Sequence, residues 1–147
     1  MSTSKRVVSL LIFFLFFTMA ANSQSITGVW KTIDEDGTAK SEIRIWKSGS
    51  EYQGKVVEIY REDKRDGRCT ECDEDDPRYN QKVLGMTIMN GIEKTGANMW
   101  ENGEILDPQN GNVYDCKMWI NDDGDLVVRG FIGISLMGRS QTWERVE

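Results

Sequence analysis

From residue 25 onward, apolar and polar positions alternate in short runs, and the runs are separated by turn residues. Strands are expected over 25–33, 41–47 and 51–60, with Ile43 and Ile45 on one face of the second. The turns between them are Asp34-Glu35-Asp36-Gly37 and Ser48-Gly49-Ser50. Period-two runs rich in Val, Ile, Trp and Tyr between Gly-containing turns are hairpin patterns. Residues 61–82 break the rhythm and read as a long polar loop, with a turn of helix near 77–81. Alternation resumes over 83–92, 98–101 and 104–106. Asp107-Pro108-Gln109-Asn110-Gly111 then turns the chain, because Pro presets φ and Asn-Gly tolerates left-handed φ. In the strand expected over 113–120, Tyr114, Cys116, Met118 and Ile120 share the presumed core face. Strands over 126–133 and 140–146 complete the set. About eight antiparallel strands joined by local turns close most simply into an up-and-down barrel. An open sandwich is the alternative; closure is favoured because it removes sheet edges.

The first residues belong to a different pattern. Lys5 and Arg6 precede an uncharged apolar run over 7–19, and Ala21-Asn22-Ser23 supplies small residues at the end of it. This is the layout of a secretory signal. The run is shorter than the roughly 20 residues a membrane span needs. Residues 1–23 are therefore expected to be removed, leaving 24–147 as one exported domain without a stable membrane anchor. Its place is the periplasm or cell envelope, or outside the cell. The whole chain carries −6; without Lys5 and Arg6, 16 of the 18 basic residues face 24 acidic ones, a net −8. Such a domain is repelled by nucleic acid and by anionic lipid surfaces, and no cluster of Lys or Arg offsets this, so neither is expected as a partner.

Compartment decides how the cysteines read. Cys69 and Cys72 form a C-x-x-C pair beside Asp73, Glu74, Asp75 and Asp76. Negative neighbours disfavour the thiolate that redox catalysis requires. Structural zinc wants four ligands, and the chain has three cysteines and no histidine, so a carboxylate would have to complete the site. The acidic run lacks the glycine and glutamate of a calcium loop. No metal and no cofactor are expected. In an oxidising compartment a disulfide is the default. Cys116 lies on the presumed core face, so Cys69–Cys72 is the expected bridge, within a solvated loop, with Cys116 a buried free thiol.

Gly28-Val29-Trp30 opens the first strand, and Arg139, Trp143 and Arg145 flank the last. A Gly lets the strand bend, and an Arg from the closing strand can stack on Trp30 to shut one end of the barrel. This layout resembles the lipocalins and the wider calycins. The downstream half is more specific. D-P-x-N-G-x-x-Y runs from Asp107 to Tyr114, R-G-x-x-G from Arg129 to Gly133, and G-R-x-x-T-W from Gly138 to Trp143. With Gly28 and Trp30, these resemble a bacterial exported family known as domain of unknown function 2147. The resemblance implies a lipocalin-like barrel and brings no established activity. Cys69 and Cys72 match only part of that family, which places them outside any shared function.

No histidine means no Ser-His or Cys-His dyad. The stretch 133–138 is not a nucleophile elbow, and the carboxylates cluster in turns. The chain is read as a non-enzyme. An eight-stranded barrel has room for packed side chains or one small ligand. The expected ligand is an apolar or amphipathic small molecule, with walls from Ile43, Ile45, Met118 and Tyr114. Arg129 serves as the polar anchor if its face looks inward, and is a surface cation if it looks outward. A filled barrel acting as a structural or protein-interaction module of the envelope is the second reading. An enzyme is the third.

Overall fold

A computed structural model of the protein describes residues 24–146. The leader expected over 1–23 lies outside the described residues. Eight antiparallel strands form a closed barrel in chain order: β1 Gly28–Ile33, β2 Ala39–Ser48, β3 Glu51–Ile59, β4 Thr87–Gly96, β5 Met99–Leu106, β6 Val113–Ile120, β7 Leu126–Phe131 and β8 Arg139–Arg145. The expected barrel is therefore present. Two short 3-10 turns, Glu62–Lys64 and Ser135–Met137, interrupt the loops.

Several boundaries differ from the alternation pattern, each for a local reason. The two short runs expected at 98–101 and 104–106 are one strand, β5. It is broken in pattern by a bulge at Asn102, whose φ is 67°. No helix forms at 77–81; hydrogen-bonded turns stand there, including Tyr79 N–H to Asp76 O. The 83–86 stretch is a turn rather than the start of β4.

The inner face of the wall is packed. Ile43, Ile45, Met89, Trp100, Met118 and Leu126 are each at most 1% exposed. Gly54 makes this density feasible, since a Cβ there would lie 2.8 Å from Sδ of Met89. Cys116 and Ile120 join the same cluster, as β6 parity requires.

The two ends of the barrel are built differently. At the base lie the short turns β2–β3, β4–β5 and β6–β7, with both ends of the described chain. At the mouth lie the β1–β2 and β5–β6 turns, the long 60–86 loop and the 132–138 loop.

Candidate functional site

At the base, Gly28 adopts φ 136° and lets the chain bend into β1. Trp30 is wholly buried, and its indole N–H donates to the Ile26 carbonyl at 2.8 Å. Trp30 and Arg145 are ladder partners, and the guanidinium lies 4.1 Å from the ring centroid. Arg145 also donates to the carbonyls of Ser25 and Thr27, at 2.6 and 3.2 Å. Base closure thus belongs to Arg145. Arg139, the other candidate, stands at the far end of β8 with a side chain 91% exposed. Trp143 is buried inside the wall opposite Leu126, and its indole N–H donates to Gln141 Oε1 at 3.0 Å.

The expected ligand walls and anchor need correction. Ile43, Ile45 and Met118 are core residues in mutual packing and present no free wall. Val128 faces inward, so its neighbour Arg129 faces outward. There Arg129 Nε donates to Ser135 O at 2.6 Å, Nη2 to Leu136 O at 3.3 Å and Nη1 to Ser140 Oγ at 2.9 Å. It is a clamp on the 132–138 loop, not an interior cation. Tyr114 is on the inner face but only half-buried. Its hydroxyl accepts from the side-chain amides of Asn110 and Asn112, at 3.1 and 3.3 Å.

The mouth supplies what the interior lacks. The inner row of β8 runs Arg145, Trp143, Gln141, Arg139, opposite Leu126, Val128 and Gly130 of β7. Trp143 is buried; Gln141 and Arg139 are exposed. The seam there is short: β1 and β8 pair only at Trp30–Arg145 and Lys31–Glu144. Gln141 and Arg139 lie beyond the end of that ladder. Beside these residues lie half-buried Ile105 and Tyr114, which a Cβ at Gly130 would meet at 3.8 and 3.3 Å. Glu35, in the β1–β2 turn, comes within 3.7 Å of Arg139. The site is thus a shallow mouth with an arginine, an amide, a phenol and aliphatic surface. Sequence reasoning missed Gln141; its spacing of two from Trp143 was the available signal.

The 60–86 loop roofs part of this end. Cys69 and Cys72 are bridged and Cys116 is free and buried, as expected. The bridge is not solvated, however: Cys69 is 0% and Cys72 4% exposed, within the main apolar cluster. Cys69 Sγ lies 3.7 Å from the Pro108 carbonyl oxygen. A Cβ on Gly111, at φ 73°, would lie 1.7 Å from the Glu71 carbonyl. The acidic residues stay outside while the sulfurs turn in. Burial pushes the Cys116 thiol up to about 12.

Clefts lie outside the barrel as well. One of about 590 Å³ at the base is lined by Gln24, Asp123, Asp125, Glu144 and Arg145. Another of about 690 Å³ runs along the outer wall of β4 and β5, past Arg78, Lys82, Leu84, Asn90 and Glu104. There Arg78 forms a two-point pair with Asp76, at 2.9 and 2.7 Å, and its guanidinium holds that carboxylate below its usual range.

A closed eight-stranded meander with a Trp–Arg base defines a lipocalin-like barrel. The family model described as an uncharacterized protein conserved in bacteria (DUF2147) matches residues 28–145, and the chain belongs to that family. Among solved structures, the chain is similar to protein HP1028 from the human pathogen Helicobacter pylori, described as belonging to the lipocalin family. The TM-score is 0.69 at 18% identity, covering 84% of each chain. At that identity the likeness speaks for the fold. No curated protein matches the chain.

Proposed function

We propose that this is an exported, non-catalytic barrel that holds one small amphipathic molecule at its mouth. The observation that carries this reading is the inner row of β8: buried at Trp143, then exposed at Gln141 and Arg139. A charge and an amide standing over the rim of an apolar interior suit an acidic headgroup, since charge-assisted and two-point contacts to a carboxylate are the strong ones. The tail would lie against Ile105 and Tyr114. The packed interior favours the second reading, an interaction module with no ligand. Titration of the purified chain with a fatty acid or a hydrophobic dye separates the two. Saturable binding that weakens at least tenfold in Arg139→Ala, about 1.4 kcal/mol, supports the mouth site. A folded chain that binds neither probe belongs to the interaction-module reading.

A further inference from the structure

The hairpin formed by β7, the 132–138 loop and β8 carries a second, separate signal. Four of the six residues 132–137 are large, apolar and exposed: Leu136 by 86%, Met137 by 77%, Ile132 by 69% and Ile134 by 61%. Apolar residues scattered singly on a surface need no explanation, but a contiguous group does. This loop is also built rather than slack. Arg129 holds two of its carbonyls, and Met137 and Gly138 donate their amide N–H groups to Ile134 O and Ser135 O. Gly138 closes the loop against β7, where a Cβ would lie 2.5 Å from the Gly130 carbonyl. The structure therefore holds these side chains out in water.

Charge shows what they meet. The chain has 24 acidic residues, yet from Leu126 to Trp143 there is none, while Arg129 and Arg139 lie within that stretch. An aliphatic tip with arginines at its foot has the chemistry of an interfacial anchor: the tip enters the acyl boundary and the guanidinium groups stay at the phosphates. We infer that this hairpin docks the mouth of the barrel on the surface of a bilayer containing anionic phospholipid. Surface charges farther away than a Debye length, about 8–10 Å, are largely screened, so the charges nearest the hairpin decide the contact; Glu35 is one of them, 3.7 Å from Arg139, and it opposes the docking. Asp34, Glu35 and Asp36 on the neighbouring turn keep the contact shallow and reversible. Pairing with a second copy fits less well, since a two-fold contact through the tip brings like arginines together. The docking rests on the hairpin alone; that the mouth then collects an amphipath from the bilayer rests on the reading above.

Sedimentation with vesicles tests it. The chain should pellet with vesicles of phosphatidylethanolamine and phosphatidylglycerol, and less with phosphatidylcholine alone or at high salt. Leu136→Asp combined with Met137→Asp should lower vesicle binding at least tenfold. Both residues are exposed, so thermal unfolding should be unchanged. The same double variant should still titrate with a fatty acid in solution, which keeps docking and ligand binding distinguishable. Docking is overturned if the native chain ignores both vesicle types, or if the double variant pellets as the native chain does. It is overturned as well if the native chain ignores vesicles and forms a dimer that the variant cannot.

Discussion

The base and the mouth of this barrel are made from the same eight strands and behave as opposites. At the base, Trp30, Ile26 and Arg145 seal the wall, and every polar group of that plug named above has a partner. At the mouth, the ladder between β1 and β8 has already ended, Gln141 and Arg139 stand uncovered, and an aliphatic loop faces water. Binding surfaces are drawn from the less consolidated parts of a fold. On the reading proposed above, the base holds the barrel together and the mouth holds the ligand.

The largest expected effect breaks the base. Trp30→Ala removes a fully buried indole and should cost about 3–5 kcal/mol in denaturant unfolding. A loss under about 1 kcal/mol would erase the distinction between the two ends. Next is Gly111→Ala, which tests whether the mouth has a rigid part of its own. The added methyl strikes the Glu71 carbonyl and must adopt a left-handed φ, so a loss of more than about 2 kcal/mol is expected. A variant as stable as the native chain would mean that the bridged loop is free to move away.

The two arginines of β8 sharpen the comparison further. Arg145→Ala loses a stacked cation and two carbonyl contacts and should cost about 1–2 kcal/mol. Arg139→Ala should change stability by less than about 0.5 kcal/mol while affecting ligand titration. Equal effects of the two on stability would contradict the division. The smallest effect concerns acid. The folded state holds Asp76 below its usual carboxylate range through Arg78. Its contribution is therefore present above the unfolded carboxylate range and lost as pH falls through it toward the lower folded value. Asp76→Asn should flatten part of the acid limb of a stability–pH curve; an unchanged limb would remove Asp76 from that account.

Much of this was legible along the chain. Period-two patterning marked each strand, because a half-buried sheet requires it residue by residue, but it split β5 into two runs at the Asn102 bulge and began β4 too early. The parity of β6 placed Cys116 and Met118 inside, and, given an oxidising compartment, that left Cys69 to pair with Cys72. The same parity, applied from Val128, would have turned Arg129 outward. The closure of Trp30 by an arginine was also legible, but not which arginine. Arg139 and Arg145 share one inner row, and six residues of strand separate them by about 20 Å, the height of a barrel wall.

Burial of the disulfide could not be read locally either. Five acidic neighbours mark the segment as solvated, whereas the sulfurs are covered by a turn some forty residues later. Gln141 likewise stands beyond the point where the β1–β8 ladder stops, a contact between the two ends of the described chain. The sequence by itself determined what repeats locally: strands, turns, inward and outward faces, and the shape of the barrel. Only the tertiary structure decided which end is sealed, which is open and what lies over the cysteines. Those depend on contacts between residues distant in the chain, whose energies no local pattern records.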